Sequence, residues 1–247
     1  MTGMLASVVD SAELTQAMRA GVDIIDLKNP QAGALGALPE ARLRALVGLA
    51  AGCLPVSATV GDLPADPARL ADAVAGTADC GVDYVKVGFF SADNLDACLR
   101  AIAPIADRQA VIAVLFADLA PPLQRLDDFA AAGFRGVMLD TAGKRGGGLT
   151  RHLGTDTLAR FVAEARRLGL LSGLAGSLRL SDIPLLLPLA PDYLGFRGAL
   201  CEGGDRVEGI SPQRLQEIRQ ALPRRPLHAA AAMGSTPRLA AACESGE

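Results

Sequence analysis

Three stretches, Arg19-Ala20-Gly21-Val22-Asp23, Cys80-Gly81-Val82-Asp83 and Ala132-Gly133-Phe134, repeat one local event. In each, a helix-forming run stops at a glycine, which takes the left-handed C-cap conformation at no steric cost and turns the chain into an apolar segment. Working outward from these turns, eight short β-branched or apolar segments recur: Leu5–Val9, Asp23–Lys28, Pro55–Val60, Tyr84–Phe89, Ala110–Ala117, Gly136–Thr141, Leu170–Ala175 and Tyr193–Arg197. Between them lie runs of helical spacing, such as Leu43, Leu46, Val47 and Ala50 on one face, opened by the candidate caps Ser11, Ser91, Thr155 and Ser211. Eight strand-plus-helix units without a compositional break to mark a linker predict an α/β fold, a single (β/α)8 TIM barrel over residues 1–225. A dinucleotide-binding sheet would want G-x-G-x-x-G after the first strand, and Val9-Asp10-Ser11-Ala12-Glu13 stands there instead. The Ala-rich residues 226–247 read as a C-terminal tail, to which no function is assigned.

Composition narrows the function classes. A chain of 247 residues with 50% hydrophobic and 21% charged residues holds one sizeable core. A net charge of −3, no Trp, two Tyr and no basic cluster leave no electrostatic footprint for nucleic acid or an anionic membrane. A small molecule is the expected partner. Met1 to Asp10 lacks a positive region before an apolar one, and apolar stretches such as Ala110 to Ala117 fall far short of the ~20 residues of a spanning helix. A cytoplasmic location is therefore expected. Cysteines 53, 80, 98, 201 and 243 are odd in number and show no C-x-x-C spacing, which suggests neither a disulfide framework nor a zinc site.

The scarcity of lysine points to chemistry. Of 24 basic residues only Lys28, Lys86 and Lys144 are lysine, leaving 21 arginines. A surface cation tolerates either type, whereas only lysine can lose its proton and act as an amine nucleophile or base. Lys28 ends the second strand, and the period of two places Asp26 on the same face. Lys86 lies on the fourth strand, Asp140 ends the sixth, and Lys144 follows in the loop Ala142–Gly148. Residues from alternate barrel strands meet in layers, so these five converge at the carboxyl end of the barrel. Clustered ammonium groups disfavour one another's charged form, which is how an imine-forming amine is made, and the carboxylates can move protons. The bland alternative is a salt-bridged plug of the barrel.

Strands seven and eight carry a second signal in Ala175-Gly176-Ser177 and Arg197-Gly198-Ala199, the latter running on to Gly203-Gly204-Asp205-Arg206. Glycine turns let backbone N–H groups approach a phosphate, and an arginine fork can complete the grip. Gly176, Ser177, Arg197, Gly198 and Gly204 are thus the candidate phosphate site. His152 and His228 fall outside the strand ends, Cys201 has no histidine partner and reads as packing, and Asp62 either contacts substrate or caps a turn.

Asp26-Leu27-Lys28-Asn29-Pro30, Ser57-Ala58-Thr59-Val60-Gly61-Asp62, Tyr84-Val85-Lys86-Val87-Gly88, Leu139-Asp140-Thr141-Ala142-Gly143-Lys144, Ala175-Gly176-Ser177 and Arg197 to Arg206 together resemble the (5-formylfuran-3-yl)methyl phosphate synthase family across residues 4–222. The resemblance implies a barrel lyase that condenses two glyceraldehyde 3-phosphate molecules into 4-(hydroxymethyl)-2-furancarboxaldehyde phosphate, releasing phosphate and water, early in methanofuran-type cofactor biosynthesis. It assigns Lys28 as the Schiff-base nucleophile, Lys86 as a proton acceptor, and Asp26, Asp140 and Lys144 as supporting acid–base groups. A phosphorylated aldehyde is the implied substrate, neither a metal nor an organic cofactor is implied, and a homo-oligomer is the expected state. The chain departs from the family pattern at Ser7, where a proline is common, and at Phe116, where tyrosine is frequent. The competing readings are a class I aldolase of another phosphorylated sugar, which would release no phosphate, and a non-catalytic sensor using the phosphate loops alone.

Overall fold

A computed structural model describes residues 1–50, 52–143 and 146–223. Eight strands, β1 (Gly3–Val8), β2 (Ile24–Leu27), β3 (Val56–Thr59), β4 (Tyr84–Phe89), β5 (Ala110–Phe116), β6 (Gly136–Asp140), β7 (Leu171–Leu174) and β8 (Tyr193–Phe196), fall where the apolar runs predict them. Each pairs in parallel with the next. The barrel closes where β8 meets β1, with Gly3 opposite Tyr193 and Ala6 opposite Phe196. The described helices are α1 (Ser11–Ala20), α2 (Glu40–Ala50), α3 (Pro67–Ala78), α4 (Leu95–Ala106), α5 (Leu126–Ala131), α6 (Leu149–His152), α7 (Thr155–Arg167), α8 (Ile183–Leu186) and α9 (Pro212–Ala221).

Local chemistry sets the joints. Gly21, Gly81 and Gly133 have φ of 73°, 86° and 80°, the left-handed turns that the three opening stretches call for. Three of the four candidate caps are displaced from the observed N-caps, and Ser211 is in place. Asp10, not Ser11, caps α1 by accepting from the Glu13 amide at 2.9 Å, and Ser211 stands at the N-cap of α9 without a side-chain bond. Ser11 is the first residue of the helix, so the residue before it is the one placed to accept from that amide.

The two faces of the sheet build separate cores. Outward residues such as Met4, Ile25, Leu27, Val85, Val87 and Leu139 pack against Leu14, Leu43, Leu70, Phe129 and Leu158 of the surrounding helices. Leu5, Ile24, Tyr84, Ile112, Val114, Phe116, Met138 and Tyr193 fill the barrel interior. Gly173 makes room there, since a Cβ at that position would lie 2.4 Å from the Tyr193 ring. At the amino ends of the strands, Asp23, Asp83 and Asp192 accept from the amides of Met4, Val56 and Ser172 on preceding strands, at 2.7, 2.8 and 2.8 Å. These bonds tie neighbouring strands together at the end of the barrel opposite the polar cluster.

Cys80, Cys98 and Cys201 are free and buried, in keeping with a packing role. No described helix is long and apolar enough to cross a membrane. Lys144 and residues 224–247, which include the tail at 226–247, lie outside the described residues.

Candidate active site

Asp26 is fully buried on the inner face of β2, and three donors meet its carboxylate. Oδ2 accepts from Ser7 Oγ at 2.8 Å; Oδ1 accepts from Ser57 Oγ at 2.7 Å and from Lys86 Nζ at 3.0 Å. Ser7 and Ser57 reach it because the register puts them directly beside Asp26 on β1 and β3. Lys86 comes from β4, the next even strand, as layered barrel packing predicts. Burial alone would raise the Asp26 pKa, but the charges of Lys86 and Lys28, with the Ser57 and Lys86 hydrogen bonds, outweigh it and hold the carboxyl below its usual range. Asp26 is therefore an anion at neutral pH.

Lys28 follows β2, its backbone amide still bonded to Val8 O at 3.2 Å. The strand period places it above Asp26, yet the direct ion pair of Asp26 is with Lys86, while the Lys28 charge acts on it through space. Side chains two apart on one strand are separated by roughly 7 Å of backbone. A lysine reaching across the barrel meets the carboxylate more directly. Asp140, 3% exposed at the end of β6, accepts from the Thr141 amide at 2.7 Å.

A cavity of about 840 Å³ opens at the carboxyl ends of the strands and is lined by Lys28, Lys86, Asp140, Gly176, Ser177, Arg197, Gly198 and Gly204. Of the ten residues singled out in the sequence, these eight line it, Asp26 is buried beneath it, and Lys144 lies outside the described residues. The glycine turns are shaped as close-approach loops. Gly176 and Ser177 have φ of 100° and 50°, and a Cβ on Gly176 would lie 3.0 Å from Thr141. A Cβ on Gly198 would lie 3.1 Å from Gly204 O, and Gly204 has a φ of 80°.

The expectation that the Arg197 fork grips a phosphate does not fit its surroundings. Its Nη1 donates to Glu13 Oε2 at 2.5 Å and Ser7 O at 3.2 Å, Nη2 to Glu208 O at 2.8 Å and Nε to Arg206 O at 2.8 Å. A buried guanidinium so engaged fastens the loop after β8 to α1 and has no open fork. Cys201 packs behind it, donating to Arg197 O at 3.2 Å, and burial pushes its thiol up to about 11. Such a thiol is inert at neutral pH.

Several residues at the mouth carry no expectation from the sequence. Arg179, Arg206 and Arg214 line the cavity. Arg206 ends the motif that begins at Arg197, and Arg179 stands two residues past Ser177, so position in a motif was the available signal. Asp62 holds the loop after Lys28, accepting from the Ala34 and Leu35 amides at 2.9 and 2.7 Å. Asp118 does the same for the loop after β6, accepting from Ala142 and Gly143 at 2.8 and 2.6 Å. His152 ends α6, close enough to Asp118 for its charge to act on that carboxyl. Among the described residues no group of three or more His, Cys, Asp or Glu is arranged to hold a metal ion.

A closed parallel barrel with lysines, carboxylates and glycine turns gathered at the carboxyl ends of its strands defines a (β/α)8-barrel enzyme. The fold recurs in solved structures: phosphoribosyl anthranilate isomerase from Thermus thermophilus superposes with a TM-score of 0.63 at 14% identity, covering 90% of this chain and 98% of that one. The sequence comparisons are narrower. The family model for 4-HFC-P synthase matches residues 4–219. A Methylorubrum extorquens protein is 45% identical over 219 residues, 89% of this chain and 91% of the relative. The (5-formylfuran-3-yl)methyl phosphate synthase of Methanocaldococcus jannaschii is 36% identical over 235 residues, 88% of this chain and 98% of the relative. The chain belongs to the 4-HFC-P synthase family.

Proposed function

We propose that this enzyme condenses two molecules of glyceraldehyde 3-phosphate into 4-(hydroxymethyl)-2-furancarboxaldehyde phosphate through an imine at Lys28, in methanofuran-type cofactor biosynthesis. The observation that carries the reading is the buried Lys86–Asp26 ion pair set beside Lys28 at one cavity. Lys28 adds to the aldehyde of the first substrate, and Lys86, held on Asp26, protonates the departing hydroxyl as water leaves. Lys86 is then the neutral amine that takes the proton from the carbon next to the iminium, whose nitrogen absorbs the electron pair. The enamine expels the phosphate two bonds further on. Carbon–carbon bond formation with the second aldehyde and dehydrating ring closure give the aromatic furan, and atom balance requires one phosphate and two waters in all. Asp140 and Lys144 serve the later proton transfers.

The backbone of the Gly176–Ser177 and Gly198–Gly204 turns holds a substrate phosphate, with Arg197 as the brace that shapes the second turn. The reading also carries the expectations of a cytoplasmic, homo-oligomeric enzyme that needs no cofactor. The test is to supply purified protein with glyceraldehyde 3-phosphate alone. A furan ultraviolet band rising with one phosphate per furan supports the reading. An aldol product without phosphate release would replace it with the aldolase, and binding without turnover would replace it with the sensor.

A further inference from the structure

The two arginines that bound the glycine-rich loop after β8 are in opposite states. Every guanidinium nitrogen of Arg197 is engaged by a carboxylate or a carbonyl. Arg206 is engaged at one nitrogen only: its Nη2 donates to Pro30 O and to Gly33 O, the latter at 2.7 Å. Among the described residues no acceptor meets its Nε or Nη1. The side chain is half-buried and faces the cavity that Lys28 and Asp140 also line. Burial pulls the Arg206 pKa down, against the fields of Asp140 and Asp62, and a guanidinium stays charged regardless.

A partly desolvated cation with open donors is completed most favourably by an anion, and the planar fork matches a phosphate oxygen pair. The carbonyls that pin Arg206 belong to the loop directly after Lys28, so the fork is fixed relative to that lysine before any ligand arrives, which lowers the ordering cost of binding. We propose that Arg206, rather than Arg197, is the side chain that grips a substrate phosphate monoester, its guanidinium held on the Lys28 side of the cavity by the Pro30 and Gly33 carbonyls. A condensation of two phosphorylated molecules needs two anion subsites. The turns supply one from backbone amides, and Arg206 supplies the other. This inference rests on the proposed function for the class of ligand and for the need of two subsites.

The test uses sn-glycerol 3-phosphate, a phosphate monoester without the carbonyl needed for an imine, so its binding is independent of whether the proposed reaction occurs. Calorimetric titration of Arg206→Met should show ~10–100-fold weaker binding at one subsite, the loss expected for one charge-assisted fork. In the parent protein, phenylglyoxal modification mapped by mass spectrometry should be suppressed at Arg206 by glycerol 3-phosphate. If Arg206→Met does not fold, this labelling decides alone. Parental affinity in a folded Arg206→Met protein overturns the assignment, and so does an Arg206 that labels to the same extent with and without the ligand. Loss of binding in a protein that makes no furan would leave the subsite standing and remove only the proposed reaction.

Discussion

Asp26, Leu27 and Lys28 are consecutive, yet they serve opposite sides of one sheet. Leu27 faces the helices within a large apolar cluster, where its contacts are shared and interchangeable. Asp26 and Lys28 face the interior, where each polar atom has a particular partner or lines the cavity. The difference teaches a division of labour: the outer face of the sheet secures the barrel, and the inner face near its mouth spends stability on chemistry, because buried ions gain little net energy over apolar side chains. Changes on the two faces should therefore fail in different ways.

The largest effect belongs to the inner face. Lys28→Arg keeps the charge but cannot form an imine, so turnover should fall to background while the melting temperature stays near that of the parent. Activity assays paired with thermal melts check this. A variant with substantial activity would break the comparison.

Next comes Lys86→Met. It removes a proton-transfer group, for which a loss of ~10²–10⁴-fold in turnover is expected. It also leaves the Asp26 anion facing Lys28 without its counter-charge, which favours the protonated Lys28 and should move imine formation to higher pH. Alkaline pH should restore imine trapping and not furan production. An imine-forming pH profile identical to the parent's would show that Lys86 does not tune Lys28.

On the outer face, Leu27→Ala deletes a fully buried side chain between Asp26 and Lys28. A loss of ~2–5 kcal/mol is expected from denaturant unfolding, with imine trapping per folded molecule unchanged. If trapping falls in proportion with stability, the two faces are not separable.

The smallest effect is a pH dependence. The folded-state pKa of Asp26 lies below its unfolded value of about 4. The folded protein therefore holds its proton less tightly than the unfolded chain, and the stabilisation from this group is complete above that unfolded value. It is lost as pH falls through the lowered folded value. Melting temperature should drop over this acid range, and Asp26→Asn should flatten that part of the profile. A profile of the same slope in the variant would place the acid sensitivity elsewhere.

The outer face was almost fully legible from sequence. All eight strands could be found because glycine caps and apolar runs are local signals, and the boundaries shifted by only one or two residues, as at Lys28 and Arg197, which stand just past their strands. The inner face was legible in composition, since three lysines among 21 arginines stand out, and alternate-strand layering brought Lys86 towards Asp26. What sequence did not reveal were partners distant in the chain. Glu13 lies 184 residues from Arg197, and nothing local announces that it will occupy that guanidinium. Likewise the choice of Lys86 over Lys28 as the direct partner of Asp26 depends on the diameter of the barrel, which no spacing encodes.

The central claim is that Lys28 is the amine that bonds to substrate. Borohydride reduction of the enzyme mixed with glyceraldehyde 3-phosphate, followed by peptide mass mapping, tests it most directly. The account predicts a stable adduct on the peptide carrying Lys28, absent from Lys28→Arg. An adduct found only on Lys86 or Lys144, or no adduct while furan is being formed, would contradict it.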